Sequence, residues 1–529
     1  MNLTKLNTNI FNKITPGDTV VSSFYFNDLH GQLHYLDKFK SAVDIFRNEA
    51  KTPVNFVLSS GDNISGVNHP KNELIFKFMD AIGVDAAALG NHELDGCMDL
   101  LKNLIDESKV KFLSANLKIP ENNPLMNVMK NNKLVSSCII EKNGFSSGFI
   151  GSLPVDINYR IPDPEHLLGI IVEDAEKSIE TIQKEVKKLE KKDVDIINLL
   201  SHFGYNLDAK IANEVSGIDV IYGGHSHNVL HDLTKGVNIF KSPDKEPVII
   251  TQAGKDGKYH GILNTVYDSD GTLKYASNTI NRTFLYPSNP FINELKNKYC
   301  GTPEIIGHLL NNVSSPEHVT ENPLTSFVAD AIRDYTGADI CLLNTSCARG
   351  MLNKGEISIS DIQEILPFDD NICTVSLTEH AIVEALRHGA TTITKKPEFL
   401  EASGLKYSIN KYNHLKEVII YNKNGTAKMV NIGSPAKKNE YTVAIRKSFV
   451  LKDFIGYKSL NVSQERIKKK FYEKQSEMVI NYIKTRKNMS PFCIKPRDAV
   501  KFETKLNNSK INDFLQQPDS IWHEISSLI

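Results

Sequence analysis

Five short polar blocks each close an apolar run, and this pattern restricts the fold of the 529-residue chain more than any other feature. The blocks are Asn27-Asp28-Leu29-His30-Gly31, Gly61-Asp62-Asn63, Gly90-Asn91-His92-Glu93, Ser201-His202-Phe203-Gly204 and Gly223-Gly224-His225-Ser226-His227. The runs before them, Thr19–Phe26, Asn55–Leu58, Ala86–Leu89, Asp195–Leu200 and Asp219–Tyr222, are short enough to be buried strands. Lys111–Ser114 and Pro247–Thr251 are further strand candidates. Longer amphipathic stretches lie between several of them, which predicts an α/β layered fold with sheets covered by helices. Loops at the C-terminal ends of strands are where such folds gather their chemistry.

The clearest helix spans Val172–Lys191, where Ala175, Ile179, Ile182, Val186 and Leu189 form one apolar stripe. Its lysines, Lys187, Lys188, Lys191 and the adjoining Lys192, form a solvated outer face. A chain of this length needs more than one core. The pattern breaks after Thr283, at Pro287, Pro290, Gly301 and Pro303. The expected organisation is therefore a first domain over 19–285, a linker helix within 286–303, a second α/β domain over 304–505 and a tail over 506–529 that docks as a short helix.

A formal net charge of −1 argues against nucleic acid or an anionic membrane as the main partner. No run approaches the roughly 20 apolar residues of a membrane span, and Met1–Asp18 does not read as a secretory signal. The seven cysteines are scattered without metal-ribbon spacing, which fits free thiols in a reducing, cytoplasmic setting.

The side chains in the blocks point to metal chemistry. Asp28 and His30 are two apart, so an extended backbone turns both to one side, and His225 and His227 repeat the spacing. Asp62 has two carboxylate oxygens and can bridge two ions. Asn91 can offer its carbonyl oxygen, while His92, next in sequence, points elsewhere and has Asp95 in reach as a hydrogen-bond acceptor. Taken singly, each block has an ordinary explanation in turns and helix caps. Five together predict a pair of divalent metals, and carboxylate, imidazole and amide donors suit Mn, Zn, Fe or Co better than Ca. Two adjacent metals can cleave a phosphate ester with water.

The order Asp-x-His, Gly-Asp, Gly-Asn-His-Glu, His, Gly-His-x-His resembles the calcineurin-like metallophosphoesterases over Val20–Tyr275. More narrowly, it resembles the two-domain 5′-nucleotidase family, which includes UDP-sugar hydrolases and 2′,3′-cyclic-nucleotide phosphodiesterases. The resemblance implies a four-layer α/β/β/α sandwich followed by a second α/β substrate-binding domain. It implies one metal on Asp28, His30 and His227, a second on Asn91, His202 and His225, with Asp62 between them, and His92 with Asp95 as the catalytic dyad. The implied reaction is release of phosphate from a small, nucleotide-like ester by a metal-bridging hydroxide.

The second half resembles the family through Glu321-Asn322-Pro323-Leu324, Thr336-Gly337-Ala338-Asp339 and Leu342-Leu343-Asn344. The resemblance places Arg349 on the substrate phosphate, and Phe368 and Phe449 on the two sides of a nucleobase, with Asn91 also touching substrate. The chain departs from the family pattern at Thr345-Ser346-Cys347-Ala348, at Asp369-Asp370 and at Asp453-Phe454-Ile455-Gly456. These departures leave the reaction class intact and open the substrate to a cyclic nucleotide or a nucleotide sugar. A ligand-binding protein without turnover is the alternative of a different class.

Overall fold

The computed structural model describes residues 14–502 apart from 51, 53, 67, 158–163, 302, 316–320, 393–398, 423, 452–456, 461–465, 488–490 and 496–498. The chain divides into two compact units, Met1–Gly301 and Thr302–Ile529. The tail 506–529 and the Asp453–Gly456 motif lie outside the described residues.

Thirteen strands build the two main sheets of the first unit. They are β1 (Thr19–Phe26), β2 (Val54–Ser59), β3 (Ala86–Ala88), β4 (Lys111–Leu113), β5 (Leu134–Val135), β6 (Ser137–Lys142) and β7 (Phe145–Ser152). The others are β8 (Ile196–Ser201), β9 (Val220–Tyr222), β10 (Ile239–Lys241), β11 (Pro247–Thr251), β12 (Tyr259–Tyr267) and β13 (Leu273–Arg282). One sheet runs β13-β12-β1-β2-β3-β4-β5 and the other β10-β11-β9-β8-β7-β6. Strands β1 to β5 are mutually parallel, as are β7, β8, β9 and β11. Parallel order sends the C-terminal ends of β1, β2 and β3 to one edge, and of β8 and β9 likewise.

The period-2 alternation of each strand sorts its side chains between two cores. From β1, Val21 and Tyr25 enter the core between the sheets, while Phe24 and Phe26 face the helices. Rings meet across the inter-sheet core, Tyr25 to Tyr222 at 5.5 Å and Phe56 to Phe149 at 5.2 Å. Helices α1 (Leu36–Glu49), α2 (His69–Ile82) and α3 (Met98–Glu107) cover the outer face of the first sheet, burying Phe39, Phe78 and Leu101. Helices α4 (Ala175–Glu190) and α5 (Tyr205–Glu214) cover the second, burying Ile182, Val186, Leu189 and Ile211. The result is the expected four-layer sandwich. Helix α4 begins three residues later than the periodicity suggests, because Asp174 caps it by accepting from the Lys177 amide. Helix α6 (Pro290–Cys300) seats Ile292 in the same core as α1 and α2.

One glycine sets how closely the sheets approach. A Cβ on Gly151 of β7 would meet the Leu113 backbone of β4 at 2.4 Å, a contact that only backbone movement can relieve. Gly151→Ala is expected to destabilise the first unit by about 1–3 kcal/mol through overpacking, read as a lower urea midpoint for the loss of its near-UV signal.

The second unit holds a five-stranded sheet in the order Leu400–Ser403, Ile340–Asn344, Glu440–Arg446, Asn371–Thr378, Ile467–Lys474. A four-stranded sheet runs Ala427–Met429, Leu415–Tyr421, Leu405–Ile409, Val500–Phe502. Helices Pro323–Thr336, Glu379–Thr392 and Gln475–Arg486 complete this α/β unit. Among the described residues, no disulfide joins any two of the seven cysteines. No helix among the described residues is long and apolar enough to cross a membrane.

Candidate metal centre

The five polar blocks converge. Three groups of residues bring ligand atoms within 4.8 Å of one another: Asp28, His30 and His227; His30, Asp62 and His92; and Asp62, His202 and His225. Asp62 belongs to two of the three. Its Oδ2 lies 3.0 Å from His202 Nε2, 3.5 Å from His30 Nε2 and 4.0 Å from His92 Nε2. Asp28 Oδ1 lies 3.3 Å from His227 Nε2 and 3.5 Å from His30 Nε2.

This convergence has a conformational cost in the backbone. Among the described residues twelve non-glycine residues have positive φ, and six of them are Asp28, His30, Asp62, His225, His227 and Asp256. Such left-handed residues cost about 1–3 kcal/mol each and mark sites where the fold over-determines the loop. Glycines allow the loops to touch. A Cβ on Gly90 would fall 2.1 Å from Asp62 Oδ1, and one on Gly224 would fall 2.7 Å from His202 Nδ1.

Three of the five functional rings are held from behind. His202 Nδ1 lies 2.6 Å from the Ser60 carbonyl, His92 Nδ1 2.6 Å from Asp95 Oδ2 and His30 Nδ1 3.1 Å from Asp256 Oδ1. A carbonyl or carboxylate only accepts, so each Nδ1 donates and each Nε2 is turned inward. Asp62 Oδ1 accepts from the His92 amide at 2.8 Å, which leaves Oδ2 to face the imidazoles. Glu93 ties the loops together, accepting from the amides of Asp62, Asn63 and Gly90 at 3.0, 2.7 and 2.6 Å. His225 Nε2 lies 3.6 Å from Asp156 Oδ1.

Burial opposes the charge on Asp28, yet His227 and His202 outweigh it and hold the carboxyl well below the usual range. Asp62 behaves likewise beside His202 and His92. Burial favours neutral imidazole at His202, and the charges of Asp62 and Asp28 outweigh it and push the ring up to about 9. The buried carboxylates therefore demand positive charge, which protons on the imidazoles or a bound cation can supply. Asp28 Oδ1, Asn91 Oδ1 and His202 Nε2 are buried without a hydrogen-bond partner. His202 Nε2 does lie 3.0 Å from Asp62 Oδ2, a close ionic approach without hydrogen-bond geometry. Unsatisfied buried donors and acceptors are rare in folded proteins. Orphan oxygen and nitrogen atoms around buried carboxylates fit a divalent-cation centre.

The structure thus brings together Asp28, His30, Asp62, His92, Asp95, His202, His225 and His227, with Asn91 between Gly90 and His92 on the same loop. Sequence reasoning missed Asp256, a lone acid in a Lys-Asp-Gly-Lys turn that carries no motif. It also missed the latch made by Glu93, which reads as a first-turn acid.

The residues expected to bind substrate in the second unit have mixed placements. The Arg349 guanidinium lies over the Phe368 ring at 4.9 Å, and its Nε donates to the Ser346 carbonyl at 3.2 Å. Phe449, expected as the opposing ring, is instead 1% exposed in the apolar core, its centroid 5.7 Å from Tyr457. The short helix Lys447–Leu451 turns both Phe449 and Val450 inward, so in this structure Phe449 is a core residue and not the wall of an open slot. The two acids after Phe368 serve the fold. Asp369 accepts from the Ser476 amide at 2.9 Å, in the first turn of Gln475–Arg486, and Asp370 pairs with buried Arg446 at 3.4 Å.

Residues 24–229 match the calcineurin-like phosphoesterase family, and residues 305–461 match the 5′-nucleotidase C-terminal domain. The trifunctional nucleotide phosphoesterase protein YfkN of Bacillus subtilis is 26% identical over 459 residues, which cover 77% of this chain and 30% of that protein. An apyrase of Anopheles gambiae is 26% identical over 503 residues, covering 86% and 83% of the two chains. The fold is similar to that of a 5′-nucleotidase precursor from Thermus thermophilus, with a TM-score of 0.74 at 22% identity over 91% of this chain and 99% of that one. With a phosphoesterase domain followed by this C-terminal domain, the chain belongs to the 5′-nucleotidase family of metallophosphoesterase hydrolases.

Proposed function

We propose that the chain is a dinuclear-metal phosphohydrolase that releases phosphate from nucleotide-like esters in a reducing, cytoplasmic compartment. The observation that carries this reading is the position of Asp62 Oδ2, 3.5 Å from His30 Nε2 of one ligand set and 3.0 Å from His202 Nε2 of the other. Asp28, His30 and His227 would hold one divalent cation, and Asn91, His202 and His225 the other, with Asp62 touching both. When bound, such a pair supplies an activated water and positive charge on the phosphoryl oxygens.

The chain's own residues do the rest. Asp95 holds His92 by Nδ1, which directs Nε2 into the space beside Asp62. In its protonated form His92 Nε2 donates to a phosphoryl oxygen and then to the leaving oxygen. The Asn91 side chain helps to orient the phosphoryl group. In the second unit, Arg349 stacked on Phe368 is a cation that can meet a phosphate or a base. The scatter of seven cysteines without metal-ribbon spacing supports a reducing setting.

Burial of Phe449 favours a second reading for the substrate. With Phe449 in the core it offers no second face to a nucleobase, and selection falls more on the phosphate than on the base. A cyclic nucleotide or a nucleotide sugar then becomes as good a substrate as a 5′-monophosphate.

A hydrolysis panel, read by chromatography of the nucleotide products as well as by phosphate release, tests both readings. Metal-stripped protein with added Mn²⁺ is offered nucleoside 5′-monophosphates, 5′-diphosphates, 2′,3′-cyclic nucleotides, a UDP-sugar and p-nitrophenyl phosphate. The expected result is turnover of p-nitrophenyl phosphate and of at least one nucleotide class, with loss of both on chelation. Turnover of the aryl ester alone would refute the nucleotide assignment, and no turnover of anything would refute the active site.

A further inference from the structure

We infer that Asp256 is a positioning residue of the metal centre, holding His30 in the one tautomer and orientation that can serve as a ligand. The inference deepens the metal-centre reading above and rests on it.

Asp256 lies on the connection between β11 of the second sheet and β12 of the first. It is remote in sequence from His30, and no motif links the two. The fold nevertheless pins the turn against the first polar block, since the Asp256 amide donates to the Asp28 carbonyl at 2.7 Å. That bond, with the left-handed Asp256 backbone at φ 61°, directs the carboxylate inward, where it is 6% exposed.

Asp256 Oδ1 lies 3.1 Å from His30 Nδ1. A carboxylate offers acceptors only, so the proton belongs on Nδ1 and the lone pair of neutral imidazole on Nε2. That Nε2 lies 3.5 Å from Asp28 Oδ1 and 3.5 Å from Asp62 Oδ2. A lone pair aimed at two carboxylate oxygens is repulsive on its own and attractive around a cation. Asp256 therefore holds the neutral ring in an arrangement that a bound cation stabilises. Carboxylates behind metal-bound histidines act in this way, and removing one costs about 10–100-fold in metal affinity. His202 has the weaker, uncharged form of this support from the Ser60 carbonyl.

A purely structural role competes with this. Asp256 Oδ2 lies 3.7 Å from Lys258 Nζ and 4.0 Å from Lys255 Nζ, so the carboxylate could simply close its own turn. Two substitutions separate the roles while keeping the left-handed backbone, which both asparagine and glycine tolerate. Asp256→Gly removes the acceptor, and Asp256→Asn keeps a neutral one.

Mn²⁺ is titrated calorimetrically into the metal-stripped full chain, and thermal midpoints of the stripped proteins are recorded alongside. The expected result is two binding steps for wild type. In Asp256→Gly one of them weakens by about 10–100-fold, and Asp256→Asn recovers part of the loss. The inference is overturned if wild type binds two Mn²⁺ and both variants match it, whatever happens to their thermal midpoints. Absence of Mn²⁺ binding by wild type itself would instead overturn the metal-centre reading, and this inference with it.

Discussion

Asp62→Asn is expected to remove phosphate release almost completely, by about 10³-fold or more in kcat/KM, the loss that about 4 kcal/mol of transition-state stabilisation corresponds to. The substitution keeps the shape of the side chain and the oxygen that accepts from the His92 amide. What it removes is the charge on the oxygen that faces His202, His30 and His92. Those three imidazoles come from three different loops, and Asp62 is the carboxylate common to two of the ligand groups. The variant should therefore also bind fewer than two equivalents of Mn²⁺. Far-UV circular dichroism should be unchanged, because the Asp62 amide remains latched by Glu93. Activity within tenfold of wild type would show that Asp62 does not join the two halves of the centre.

His92→Ala is expected to have the next largest effect, with a different signature. Its Nε2 is 4.0 Å from Asp62 Oδ2, the farthest of the three imidazoles, and its Nδ1 is committed to Asp95. On the proposed reading this ring acts on the substrate, and the metals are held without it. The kcat should fall by about 10²–10⁴-fold, as for loss of a general acid, with metal content intact. The leaving group decides between two roles. If His92 protonates the leaving oxygen, the defect is large with a nucleoside monophosphate and small with p-nitrophenyl phosphate, whose leaving group needs no proton. Equal defects with both esters would assign His92 to charge stabilisation on the phosphoryl group.

Much of the first unit was legible because its strands are buried on both faces. Such strands read as continuous apolar runs, and β1, β2 and β8 lie within a residue or so of where those runs predict them. The candidate ligand residues stood out because polar side chains closing such runs have few structural duties. The edge hairpin β12–β13 was harder to read, since most of β13 is only half-buried and its apolar alternation is diluted. Asp256 was illegible for another reason: its role exists only once two sheets stack and bring a remote turn to His30. In the second unit the resemblance gave Arg349 to a phosphate and Phe368 to a nucleobase, and in the structure the guanidinium stacks on that ring. It could not show that Phe449 turns into the core, because an aromatic residue satisfies a core and a binding slot equally well in sequence. The Asp369-Asp370 departure has a local explanation in the amide of Ser476 and the guanidinium of Arg446. It is therefore a poor guide to substrate.

The central claim is that two divalent cations sit together on the five polar blocks. Anomalous diffraction from crystals grown with Mn²⁺ tests it most directly. The account predicts two peaks on either side of Asp62 Oδ2, one reached by Asp28, His30 and His227 and the other by Asn91, His202 and His225. A single peak, or peaks away from Asp62, would contradict it.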